Sequence, residues 1–184
     1  ITNRLVGSEM CIRDSCKRNI DLNMFKASIF NINIANTIRE LKSVSFDHVF
    51  MNPPYFKQNS VKESHKLSSH QARVESMPLS AWISVAKNRC KPNGKITVIQ
   101  RVERLPDIIK CLDGYFGQVT VQPISSFKDT SPKTVIVQAT KTSGAAFKLL
   151  APKIVHRRDG ISGKVVYEDE FKKILRYGHP LQLN

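Results

Sequence analysis

The rhythm of apolar and polar residues changes along this chain, and each change marks an element. Cys16–Met24 reads as the end of a helix. Ser28–Ala35 alternates, with Phe30, Ile32 and Ile34 on one side and Asn31 and Asn33 on the other, which is the period of a β-strand. Asn36–Lys42 reads as a short helix or turn. Phe46–Met51 is a short apolar run and predicts a buried strand. Lys57–Pro78 has few apolar residues and reads as a long polar loop, partly helical around Ala72–Glu75, of the length that compact domains usually reserve for function or motion. Leu79, Trp82, Ile83, Val85, Ala86 and Cys90 then predict an amphipathic helix, with Trp82 in the core and a turn at Pro92-Asn93-Gly94. Lys95–Gln100 predicts a strand, and Pro106 with Ile108, Ile109 and Leu112 predicts a helix that ends near Gly114. Two further strands are expected at Val119–Pro123 and Thr134–Thr140, separated by the polar loop Ser125–Lys133. Beyond Lys141 the pattern is that of an extension, with Leu149-Leu150-Ala151-Pro152, a turn at Arg158-Asp159-Gly160 and a charged helix at Glu168–Arg176.

Strands alternating with helices and closing in a strand pair predict a three-layer α/β fold, its sheet mostly parallel with an antiparallel edge hairpin. Ligands of such sheets bind outside the carboxyl ends of the strands. The residues at one such end are Asn52-Pro53-Pro54-Tyr55. Neither proline has an N–H, so the backbone there cannot continue a central ladder and leaves with free carbonyls. The Asn52 side-chain oxygen and the Pro53 carbonyl can accept from one planar amino group, and Tyr55 can stack on the ring that carries it. Asn-Pro is also an ordinary turn signal.

Composition narrows the partners. A chain of 184 residues, 41% hydrophobic, is expected to form one main domain, and no stretch approaches the ~20 apolar residues of a membrane span. The four cysteines form no C-x-x-C pair, so neither a zinc site nor a disulfide framework is indicated, and a reducing cytoplasm fits. The histidines form no metal site either. Lys and Arg number 29 against 15 Asp and Glu, a net charge of +14 that favours a polyanion such as nucleic acid. The basic residues are dispersed, a distribution that solubilisation alone would also produce. Residues 1–15 show neither a clear amphipathic period nor a signal-peptide layout. They resemble a translated sequencing adaptor and are expected to be non-native, or else a frayed arm. Residues 16–145 are assigned to the main domain and 146–184 to an extension packed on it.

Phe46-Asp47-His48-Val49-Phe50-Met51-Asn52-Pro53-Pro54-Tyr55-Phe56 resembles the F-D-x-V-x-x-N-P-P-Y-F signature of the bacterial tRNA adenine-N6 methyltransferases, which modify valine tRNA beside the anticodon. Ala72-Arg73-x-Glu75, Leu79-x-x-Trp82, Lys91-Pro92-x-Gly94, Arg101-x-Glu103-Arg104-Leu105 and Leu149-Leu150-x-Pro152-x-x-Val155-His156 extend the resemblance from about residue 16 to the C-terminus. It implies the class I, Rossmann-like methyltransferase fold, S-adenosylmethionine as cofactor, and a tRNA adenine as substrate of a cytoplasmic monomer. It also implies roles. Asn52, Pro53, Pro54 and Tyr55 are the catalytic segment. Asn36 and Asn52 would meet the cofactor. Tyr55, Phe56, Arg73, Arg101 and Arg104 would meet the RNA, with Lys66, Arg157 and Arg158 extending that surface. Arg104 pairing with a local acid, Glu103 or Asp107, is the alternative.

Two departures qualify the resemblance. The family's acidic residue followed by G-x-G-x-G is missing, and none of the eight glycines forms that pattern. The chain therefore reads as a truncated, inactive or impaired copy without the first strand and glycine-rich loop, its apolar edge exposed. Asn36 stands where the family usually has Asp, unless it is only a turn residue. Two other readings remain: an enzyme acting on another nitrogen (DNA adenine, rRNA guanine N2 or a protein glutamine amide), and a non-catalytic RNA-binding module.

Overall fold

The computed structural model describes residues 6–30, 43–54 and 77–183, with side chains from residue 13 onward. The chain divides into two compact units, 1–42 and 43–184. In the first, helix α1 (Val6–Leu22) runs without a break through residues 15 and 16. It ends in a turn in which Asn23 Nδ2 donates to the Asn19 carbonyl at 2.8 Å and Met24 takes a positive φ of 52°. Residues 28–30 are irregular. The rest of the strand expected at Ser28–Ala35, and the turn or helix at Asn36–Lys42, lie outside the described residues, as do residues 57–76 of the long polar loop.

The second unit is built on a mixed sheet. Its elements are β1 (Phe46–Met51), α2 (Leu79–Arg89), β2 (Cys90–Arg101), a 3₁₀ turn (Val102–Arg104), α3 (Leu105–Leu112), β3 (Phe116–Ser125) and β4 (Thr134–Lys141). After them come the short strands β5 (Lys148–Leu149), β6 (Lys153–Ile154), β7 (His156–Arg158) and β8 (Val165–Tyr167), and then α4 (Asp169–Tyr177). The order in the large sheet is β1-β2-β4-β3-β5, with β6 also on β3. The β1–β2 pair is parallel, β4 is antiparallel to both β2 and β3, and β5 and β6 run parallel to β3. The β3–β4 hairpin thus inserts its later strand beside β2. β7 and β8 form a separate antiparallel ribbon.

Registry explains the core. Ile96, Val98 and Gln100 pair with Ala139, Val137 and Val135, and Val137 pairs with Val121. All seven are fully buried or nearly so. They meet Leu79, Ile83 and Ala86 of α2 and Ile108 and Leu112 of α3, helices that also pack against each other. Each Val or Ile so buried contributes about 1.5–3 kcal/mol. Trp82 packs half-buried against the same cluster, as its place on the apolar helix face predicts.

α2 passes directly into β2, and the Pro92-Asn93-Gly94 turn lies inside that strand. Phe46 pairs with Cys90 but His48 pairs with Lys95, so residues 91–94 bulge. Asn93 takes a φ of 60°. A Cβ on Gly94 would stand 2.9 Å from the Lys91 carbonyl oxygen and 3.0 Å from that of Asp47, so only glycine fits without a shift. Lys141 Nζ donates to the carbonyls of Lys87 and Cys90, both at 2.7 Å, and satisfies the end of α2.

β1 departs from the expectation of a buried strand. Of its six residues only Met51 is buried and Val49 half-buried, while Phe46 is 40% and Phe50 63% exposed. Among the described residues β1 pairs with β2 alone. Val49 and Met51 sit opposite Ile96 and Val98 on the core side, and the alternate side chains project from the other face.

Candidate functional site

β1 and β2 are parallel, so Met51 and Arg101 end them at the same edge of the sheet. Asn52, Pro53 and Pro54 leave β1 there without regular structure. Pro53 is buried, Pro54 half-buried and Asn52 exposed. Both Asn–Pro and Pro–Pro bonds are trans.

A residue the sequence did not single out fixes this turn. Gln100, the last core-facing residue of β2, is fully buried, and its Nε2 donates to the carbonyls of Pro53 and Pro54 at 3.2 Å each. Its Oε1 accepts from the Arg101 N–H at 2.9 Å. All the amide's polar atoms are therefore engaged, as a buried amide requires. Since a carbonyl oxygen has two lone pairs, Pro53 keeps one acceptor site after Gln100 is bound. The signal in the sequence was slight: a lone amide ending the apolar run Ile96-Thr97-Val98-Ile99.

Arg101, which ends β2, and Arg104, three residues on, have local partners. Arg101 Nε and Nη2 reach the two oxygens of Glu103 at 3.2 and 3.0 Å. That pairing holds the Glu103 carboxyl below its usual range. Arg104 Nε donates to Asp107 Oδ2 at 3.1 Å, and its side chain is only 9% exposed. The local-acid alternative for Arg104 is the arrangement present. Arg101, one residue from Gln100 and a third exposed, stays at the strand end beside the Asn52 turn. Asn36, Tyr55, Phe56, Lys66 and Arg73 lie outside the described residues. Arg157 lies on β7, half-exposed, with Nε 3.7 Å from Glu168 Oε2, and Arg158 is exposed beside it.

On the sheet face opposite the helices, His48 Nε2 and Gln138 Nε2 both approach Thr97 Oγ1, at 2.7 and 3.1 Å. Thr97 is 4% exposed, so this chain of contacts ties β1, β2 and β4 together through side chains as well as backbone. Among the described residues no His, Cys, Asp and Glu cluster could hold a metal ion, and no helix is long and apolar enough to cross a membrane.

Arranged in this way, the turn can receive an amino group. The exposed Asn52 amide and, one residue on, the Pro53 carbonyl bonded to Gln100 both lie at the carboxyl edge of the sheet. For S-adenosylmethionine the described residues offer only Asn52 at the strand end, and no glycine-rich turn. They do not fit that group on their own.

No protein-family model and no curated protein matches the chain. Among solved structures it is similar to a predicted O-methyltransferase from Agrobacterium tumefaciens, with a TM-score of 0.63 and 21% identity over 86% of this chain and 69% of that one. Structures of M1.HpyAVI and of its complex with SAM also align, at TM-scores of 0.34 and 0.32 and identities of 13% and 15%. They cover 62% and 66% of this chain and 59% and 53% of their own length. The likeness to the first is one of fold. The fold is α/β and resembles the Rossmann-like fold of that structure.

Proposed function

We propose that this chain carries the amine-receiving half of an S-adenosylmethionine-dependent methyltransferase whose substrate is the N6 amino group of an adenine in tRNA. The observation behind the reading is the Asn52-Pro53-Pro54 turn at the carboxyl end of a parallel strand, braced by Gln100. The net charge of +14 supports a nucleic-acid substrate.

The chain's own residues act on the acceptor. Asn52 Oδ1 and the second lone pair of the Pro53 carbonyl accept hydrogen bonds from the N6 amino group and turn the nitrogen's lone-pair density outward, and one N6 proton leaves to water once the methyl group has arrived. Orientation of this kind removes entropy from the barrier. The adenine must leave its stack first, which costs least in a loop. The cofactor would supply the methyl group.

The test is calorimetric titration of S-adenosylmethionine into the folded chain, followed by methyl transfer to unmodified tRNA, with a DNA duplex and a glutamine peptide as competitors. Methyl incorporation at adenine N6 supports the reading. Incorporation into another acceptor reassigns the nitrogen. The missing G-x-G-x-G pattern favours one second reading, a non-catalytic RNA-binding module. RNA binding without cofactor binding would select it.

A further inference from the structure

The extension beyond β4 forms a cleft of about 610 Å³ between the β7–β8 ribbon and α4, within the ~300–1,000 Å³ of small-molecule sites. None of its lining residues belongs to the Asn52 turn. Its walls combine two chemistries. One is aromatic: the Tyr167 ring stacks on His156 with centroids 4.9 Å apart and planes at 28°, and Phe127 lies 5.7 Å from the other partner of that stack. Tyr177, at the end of α4, presents a further ring that is 69% exposed. The other chemistry is cationic. Lys172 and Arg176 are one helical turn apart, on one face of α4, and both line the cleft.

The acidic residues nearby are already engaged or outnumbered. Asp159 accepts from Ser162 N and Oγ, and Glu168 is taken by Arg157. Asp159 and Asp169 line the cleft against three cations, Arg157, Lys172 and Arg176, and neither Lys172 nor Arg176 is in an ion pair among the described residues. Three contacts join the walls of the cleft to their neighbours. Glu168 N donates to the Val155 carbonyl at 2.9 Å, Lys153 pairs with Glu170, and Gly178 closes α4 in the left-handed conformation at a φ of 67°.

We infer that this cleft binds an unpaired nucleotide of a polynucleotide strand, its phosphates on Lys172 and Arg176 and its base against Tyr177 or Tyr167. The pairing of flat ring faces with adjacent cations suits a base and its phosphate, and an acidic peptide would leave the rings unused. This rests on the nucleic-acid part of the reading above and gives the strand a second point of attachment.

The test is fluorescence anisotropy with a labelled unstructured oligoribonucleotide and its deoxyribo counterpart, titrated with the full chain. Lys172→Glu/Arg176→Glu is compared with a charge-matched control, Lys110→Glu/Lys128→Glu, at exposed positions outside the cleft. The cleft variant should weaken binding at least about tenfold more than the control and lower the salt slope by about 1.4, two phosphates at ~0.7 each. Tyr177→Ala should weaken binding with the slope unchanged. Tighter ribo- than deoxyribo-binding assigns RNA, and equal binding assigns single strands of either sugar. If the glutamate variant unfolds, Lys172→Gln/Arg176→Gln gives the same slope test. Equal losses in cleft and control variants, or no binding of either strand, overturn the inference. Binding through the cleft without methyl transfer would sink only the proposed activity. Methyl transfer at unchanged KM in the cleft variant would sink only the cleft.

Discussion

Gln100 Nε2 lies 3.2 Å from the Pro53 carbonyl oxygen, across 47 residues of sequence. One buried amide thereby sets where the Asn52 turn leaves the sheet. Gln100→Leu keeps the volume apolar and removes both donors. Leaving the Pro53 carbonyl unpaired should cost about 1–3 kcal/mol, read as a lower urea midpoint at an unchanged slope. A variant as stable as the parent would show that this contact braces nothing.

Asn52 is exposed, so Asn52→Ala should change stability by no more than about 0.5 kcal/mol. In a homologue that binds S-adenosylmethionine the corresponding change should abolish methyl incorporation, with oligonucleotide binding retained. Turnover that survives this change moves the acceptor role to another residue.

Much of this architecture could be read from the chain. α2, α3, β3 and β4 announce themselves because one face of each is apolar, and periodicity reports that face directly. The exposure of β1 could not be read, since Phe46 and Phe50 look the same in a sequence whether or not anything lies over them. β5 to β8 are two or three residues long, too short for a period, so of the second ribbon only its turn at Arg158-Asp159-Gly160 could be read, beside the charged helix that became α4. Gln100 was hidden for another reason: an amide that brackets two distant carbonyls has no sequence spacing of its own. Within the segment read as functional, Asn52, Pro53 and Pro54 stand where a strand end was expected.

Gly117 illustrates a local constraint. A Cβ there would fall 1.9 Å from the Ser143 carbonyl oxygen, whereas one on Gly144 would meet nothing within 4 Å. Gly117→Ala should cost about 1–3 kcal/mol or more by forcing the backbone apart, and Gly144→Ala about 0.5 kcal/mol or less. Thermal melting of the two variants side by side measures the difference.

The Lys91 ammonium donates to both Asp47 oxygens, at 2.8 and 3.0 Å, and holds that carboxyl below its usual range. The folded-state pKa is thus lower than the unfolded one. The pair's contribution is present above the ordinary carboxylate range and fades as pH falls through the depressed folded value. Both groups are solvent-exposed, so the effect on stability is small. The Asp47 carboxyl carbon, followed by NMR against pH, should titrate at a higher pH in Lys91→Gln. An unmoved midpoint would detach the shift from this contact.

β4 is hydrogen-bonded on both sides, and Val135, Val137 and Ala139 are fully buried. Among the described residues β1 is joined along one side only. Amide protons should therefore exchange with solvent deuterium slowest in β4 and much sooner in β1, through openings that leave the rest of the sheet closed. The strand that presents Asn52 would then be a separate cooperative unit, able to let go of Gln100 and return while the central strands stay protected.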